Sequence, residues 1–150
     1  MALLLGNMRI MMLTTHYTLQ EACRSVTKER VQAMPGVDET SLRAFGVPNP
    51  KIAVAVLNPH AGVGGLSGRE ELDGSIPAVK EAVARGIKAV GPIPADVVPL
   101  KARDSEYDLV LAMYHDQASM AAKHLGHMQQ PLWIIDRHCP DRLDWHPRVV

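Results

Sequence analysis

Three of the seven histidines sit where chemistry is possible. His16 follows the apolar run Met8 to Thr15. His60 lies three residues past Leu57, at the end of the run Ile52 to Leu57. His115 directly follows Asp108 to Tyr114. Each run reads as a short buried strand. In a parallel sheet the carboxyl ends of the strands share one edge, and such sheets bind ligands there. Three neutral imidazoles gathered at that edge, with an open position, would form a catalytic-type divalent metal site. The competing reading is plain loop histidines, since seven of them make chance placement easy. His124, His127, His138 and His146 read as solvated residues at a helix end or in the tail, and the soft pair His138-Cys139 lacks partners.

Other residues cluster around the same edge. Gly62-Val63-Gly64-Gly65-Leu66-Ser67-Gly68 lies between a strand and a helix. Backbone N–H groups in such a loop can cradle phosphate, and a merely flexible turn is the equal alternative. The spacing is neither a dinucleotide fingerprint nor a P-loop. Arg69-Glu70-Glu71 after it reads as a solvated helix start whose acids suit the helix dipole. Asp116, next to His115, reads either as a group orienting a ligand or as a helix cap. Asp96 is a second cap candidate. Lys123, two helical turns beyond His115, reads as a solvated lysine or as a phosphate partner.

The elements that would position these residues alternate. Thr18-Leu19-Gln20-Glu21 fits a capping box, so a helix starts near Thr18. Lys28 to Met34 is helical up to the turn Pro35-Gly36, and Asp38 to Phe45 is helix-compatible. Ile76 to Arg85 is a helix with Pro77 in its first turn. Ile87 to Val90 is a short strand leading into Gly91-Pro92, and Gln117 to His124 a short helix. Trp133-Ile134-Ile135 is strand-compatible within an otherwise irregular stretch. Apolar strands alternating with helices argue for an α/β fold with a mostly parallel sheet and flanking helices.

The composition agrees. The chain has 150 residues, 47% hydrophobic and 21% charged, which excludes disorder and collagen-like fibre. Sixteen basic residues balance sixteen acidic ones, so no charge excess points to nucleic acid. Aromatics make up 4%, leaving aliphatic residues and eight methionines to fill the core. Cys23 and Cys139 are far apart and imply neither a disulfide framework nor a zinc ribbon, so a reducing, cytoplasmic compartment is expected. Met1-Ala2-Leu3-Leu4-Leu5 looks faintly like a leader but lacks its basic start and cleavage site. The apolar runs are too short to cross a membrane.

Several blocks occur in a recognisable order: Thr14-Thr15-His16; Leu57-Asn58-Pro59-His60-Ala61-Gly62-x-Gly64-Gly65; Gly68-Arg69-Glu70-Glu71; Gly91-Pro92-x-Pro94-Ala95-Asp96; and Ala112-Met113-Tyr114-His115-Asp116-Gln117. Together they resemble the PdxA family, the 4-hydroxythreonine-4-phosphate dehydrogenases of vitamin B6 (pyridoxal 5'-phosphate) biosynthesis. The likeness runs from about Leu3 to Gly126. It implies one lobe of an isocitrate/isopropylmalate dehydrogenase-like fold, residues 1–126, that binds metal and NAD. Residues 127–150 would be a divergent, irregular tail.

The resemblance also implies a reaction. A homodimeric enzyme oxidises 4-phosphohydroxy-L-threonine, a small phosphorylated hydroxy amino acid, with NAD or NADP, and the product loses CO2. His16, His60 and His115 match the family's metal ligands at the dimer interface, and Lys123 matches its substrate lysine. No residue is assigned to the nicotinamide cofactor or to a catalytic proton transfer. Zinc, magnesium, cobalt and manganese all stay open, and imidazole ligands lean to zinc or cobalt. The chain departs from the family pattern in length, which is roughly half. It lacks the first lobe and the C-terminal substrate segment, so activity of this chain alone is not expected. Val63 and Ala118 replace a usual Glu and Gly. A non-catalytic metal-binding remnant, or a sister dehydrogenase for 4-phospho-threonate or erythronate, are the alternatives.

Overall fold

The runs Ile52–Ala55 and Leu109–Ala112 are buried at every position, which suits only strands covered on both faces. In a computed structural model they form the middle of a seven-stranded sheet. The structure describes residues 2–33 and 47–125, together with the backbone of 133–135 and 143–145. The strands are β1 (Ala2–Leu5), β2 (Met8–Met12), β3 (Ile52–Ala55), β4 (Ala89–Ile93), β5 (Leu109–Ala112), β6 (Trp133–Ile135) and β7 (Leu143–Trp145), in the order β4-β3-β5-β2-β1-β6-β7.

The body β4-β3-β5-β2 is parallel throughout. Beyond β2, the pairs β1–β2, β1–β6 and β6–β7 are antiparallel. The helices are α1 (Leu19–Arg24), α2 (28–33), α3 (Ile76–Ala84), α4 (Val98–Arg103) and α5 (His115–Leu125). The expected α/β class and parallel body are present, and the antiparallel edge is additional.

Strand side chains alternate between two faces, and this splits the core in two. Ile10, Met12, Ala53, Ala55, Val110 and Ala112 pack with Val98 and Ala102 of α4 and Ala118 and Ala122 of α5. Met11, Leu13, Ile52, Val54, Leu109 and Leu111 pack with Val31 of α2 and Ala78, Val79 and Ala82 of α3. The result is three layers, helix on sheet on helix. Burying each Val, Leu, Ile or Met side chain here stabilises by about 1.5–3 kcal/mol, and each alanine methyl by about 0.8 kcal/mol or less.

Three local outcomes differ from the sequence reading. Leu3-Leu4-Leu5, which looked like a faint leader, belongs to β1, and a two-residue Gly6-Asn7 turn returns the chain into β2. Gly6 takes φ 54° there, as the first residue of such a turn requires. Asp96 does not cap α4; Val97 holds that position, with no side-chain hydrogen bond. The strand expected over Ile87 to Val90 instead runs from Ala89 through Gly91-Pro92 to Ile93. It lies at the sheet edge, where a missing N–H is tolerated. A Cβ on Gly91 would meet the Val54 carbonyl oxygen at 2.6 Å, so only glycine lets the two backbones approach.

Other expectations hold. α1 opens on the Thr18 capping box, and Pro77 sits in the first turn of α3. The segment 127–150, read as irregular, departs from that reading: its described backbone is β6, over the strand-compatible Trp133-Ile134-Ile135, and β7, where no strand is expected, both paired into the sheet. The helix expected over Asp38 to Phe45 lies outside the described residues, as do His127, His138, Cys139 and His146.

Candidate metal centre

The carboxyl ends of β2, β5 and β3 lie side by side, and buried polar side chains lace them together. The hydroxyl of Thr14, itself buried, donates to the Met113 carbonyl at 2.9 Å and ties β2 to β5. Gln117 ties β5 to β3. Its Oε1 accepts from the Met113 N–H at 2.7 Å, and its Nε2 donates to the Val56 carbonyl at 2.9 Å. His16 leaves two residues after Thr14, and His115 two residues after Met113. Their ring centroids are 6.2 Å apart, with planes tilted 40°.

His115 opens α5, and its Nδ1 lies 2.7 Å from Asp116 Oδ1. With Nδ1–H donating to that carboxylate, Nε2 carries the lone pair. Metal-bound imidazoles take this arrangement, with a carboxylate on the far nitrogen. Asp116 therefore orients His115 from within the first turn and is not the cap of α5. Ser119 Oγ lies 3.4 Å from Nε2. His16, Tyr17, Leu19, His115, Asp116 and Met120 line a cleft of about 460 Å3. From α2, Arg30 donates to the Leu13 carbonyl and sets its guanidinium 5.5 Å from the centre of the Tyr17 ring.

His60 stands on a different kind of backbone. Residues His60 to Gly64 all have positive φ, from 47° to 70°, in one left-handed turn. The glycines accept this freely, whereas His60, Ala61 and Val63 each cost about 1–2 kcal/mol there. The loop between β3 and the next helix thus begins in a strained left-handed turn, and His60 on it is exposed.

Its support comes from a residue that the sequence had placed in solvent. Glu71 is 0% exposed. Its Oε1 accepts from the Leu57 and Asn58 N–H groups, both at 2.8 Å, and its Oε2 accepts from Asn58 Nδ2 at 2.9 Å. A helix start rich in charge looks solvated by composition. Only the orphan N–H groups past the end of β3 could have signalled a need for a buried acceptor.

The structure brings His16 and His115 together. Among the described residues, no group of three His, Cys, Asp or Glu side chains is placed to hold one ion. Lys123 is exposed on α5. It follows Asp116 and Met120 down the same helical stripe, at i+7 and i+3. His124 is turned back on its own helix, its Nδ1–H donating to the Met120 carbonyl at 3.0 Å.

The arrangement has relatives. The sequence profile of the family described as pyridoxal phosphate biosynthetic protein PdxA matches residues 1–130. The chain belongs to the PdxA family. A D-threonate 4-phosphate dehydrogenase of Salmonella typhimurium is 40% identical over 126 residues, covering 84% of this chain and 38% of that protein. A 4-hydroxythreonine-4-phosphate dehydrogenase of Shewanella denitrificans is 42% identical over 127 residues, covering 84% and 39%.

The crystal structure of a 4-hydroxythreonine-4-phosphate dehydrogenase from Klebsiella pneumoniae superposes with a TM-score of 0.78 at 37% identity. It covers 87% of this chain and 41% of that one. This PdxA-family chain thus spans well under half the length of the relatives it matches. Among its described residues, no helix is long and apolar enough to cross a membrane.

Proposed function

We propose that this chain is the metal- and substrate-binding lobe, residues 1–126, of a PdxA-type dehydrogenase acting on a small phosphorylated hydroxy acid. The observation that carries this reading is the His16–His115 pair at adjoining strand ends, with Asp116 on the far nitrogen of His115. The donor set suits a divalent ion. To share a tetrahedral ion the two rings would have to draw closer than their 6.2 Å centroid spacing. His60, on the neighbouring turn, is the third ligand of the proposal, and a second copy of the chain completes the set. Tyr17, Leu19 and Met120, exposed by 50–61% around the cleft, give that copy an apolar seat. Residues 127–150 lie beyond the lobe of this reading, although their strands β6 and β7 extend its sheet, and the compartment is the cytoplasm.

The chemistry follows from these roles. A divalent ion at this site supplies Lewis acidity to a substrate hydroxyl, and NAD or NADP is the hydride acceptor. Asp116 fixes the tautomer of His115. Lys123 pairs with the substrate phosphate and holds the reacting carbon in register. Zinc and cobalt suit imidazole ligands better than magnesium or manganese.

Two substrates fit the reading: 4-phosphohydroxy-L-threonine, and D-threonate 4-phosphate, the acid in the name of the Salmonella relative. The test has two arms. Equilibrium dialysis with Zn2+ should give about one ion per chain by the ligand count of a three-histidine site, and His60→Ala should abolish it. Full stoichiometry in that variant would remove His60 from the site. NAD- and NADP-dependent oxidation of each substrate then separates an active lobe from a binding-only one. Turnover by the chain alone would refute the remnant alternative.

A further inference from the structure

We propose that Glu71 is the positioning residue of the His60 turn: a buried carboxylate that builds the left-handed backbone on which the third imidazole stands. The inference rests on the metal reading only for what His60 binds, not for how the turn is held.

A fully buried carboxylate needs either a counter-ion or several N–H donors. None of the ion pairs among the described residues includes Glu71, and its neighbour Arg69 is committed to Asp73. Glu71 is held instead by three N–H groups, and all three belong to Leu57 and Asn58, the residues that lead into His60. Asn58 Nδ2 also donates to Glu70 Oε2 at 2.7 Å, so one amide is gripped by two adjacent carboxylates.

The exit of the turn is fitted to the same groups. A Cβ on Gly62 would stand 2.6 Å from the Gly68 carbonyl oxygen and 3.2 Å from Glu71 Oε2. One on Gly68 would run into Asn58 Nδ2. Glu71 itself opens a single wide π-turn, Glu71–Ser75, a distortion frequent at functional sites. A run of left-handed residues persists only when its surroundings over-determine it, and here the carboxylate bonds the two residues that lead into the turn and lies against Gly62 within it.

A purely structural role would lower stability and leave the turn of the folded molecule unchanged. The experiment separates the two with Glu71→Ala, Glu71→Gln and Val79→Ala, the last a control that thins the same side of the core without touching the turn. Two readouts are taken on the full chain: amide exchange of Leu57 and Asn58 in metal-free protein, and Zn2+ affinity by chelator competition. Glu71→Ala should lose protection at both amides and weaken Zn2+ binding by about 10–100-fold, the range for removing an outer partner of a ligand. Glu71→Gln keeps the Oε1 acceptor but sets a donor against Asn58 Nδ2, so it should fall between wild type and Glu71→Ala in both readouts. Val79→Ala should lower the melting temperature and move neither.

Wild-type protection and affinity in Glu71→Ala would overturn the proposal, as would the same losses in Val79→Ala. If Glu71→Ala does not fold, Glu71→Gln decides alone, and values equal to wild type overturn it. If the wild-type chain binds no Zn2+, the metal reading fails while the exchange data still decide the role of Glu71.

Discussion

His16 and His115 face each other across the ends of β2 and β5, their ring centroids 6.2 Å apart. Neither ring is placed by local sequence. The Thr14 hydroxyl bonded to the Met113 carbonyl fixes where both strands end, and each histidine leaves two residues later. Asp116 then sets the orientation of one ring.

Asp116→Ala should therefore weaken Zn2+ binding by about 10–100-fold by freeing Nδ1 of His115. Its melting temperature should hardly change, because the Asp116 side chain is 72% exposed. Chelator competition and a thermal melt check the two halves. Unchanged affinity would mean that His115 does not ligate through Nε2.

Thr14→Val should cost about 1–3 kcal/mol, because it strands the Met113 carbonyl without its donor in a buried setting. Thr14→Ser should recover most of that loss. Urea unfolding measures both, and equal stability of Thr14→Val and wild type would show that water replaces the hydroxyl.

Val63→Gly should stabilise the chain by about 1 kcal/mol, since a β-branched residue in the left-handed region is strained. Val63 has φ 47° and is 49% exposed, so little burial is lost. A lower urea midpoint for this variant would show that the Val63 side chain earns more by packing than its backbone loses.

The Glu21 carboxyl is held below its ordinary value of 4.5 by the Thr18 hydroxyl first and the Thr18 backbone N–H second. A lowered value in the folded state means that its stabilisation is present above about pH 4.5 and is lost as pH falls through the lowered value. NMR titration should show Glu21 ionising below the ordinary range, and Thr18→Ala should move it part of the way back, since the backbone N–H remains. A wild-type Glu21 that titrates at the ordinary value would refute the capping interaction in solution.

The parallel body was legible in the sequence because Ile52–Ala55 and Leu109–Ala112 are apolar at every position, a pattern that few other environments accept. The start of α1 was legible because Thr18 and Glu21 satisfy each other locally. β1 was not, because a strand at the boundary between parallel and antiparallel pairing has no pattern of its own. Only the Gly6-Asn7 turn hinted at a hairpin.

Within the site, histidine positions could be read from strand ends. The left-handed turn could not, because it is imposed by Glu71 from beyond the loop. Gln117 likewise stood in a recognised block without a role, since its two partners, Met113 and Val56, lie on different strands.

The strand order has a consequence for how the molecule is made. β5 lies between β2 and β3, so these two strands, both made before it, cannot pair directly in the native arrangement. They flank a lane that stays empty until residues near 109–112 arrive. Contacts of such long sequence separation form late and slowly. The His16–His115 pair therefore has no native geometry until that central strand lies beside β2, whatever the earlier segments have already formed.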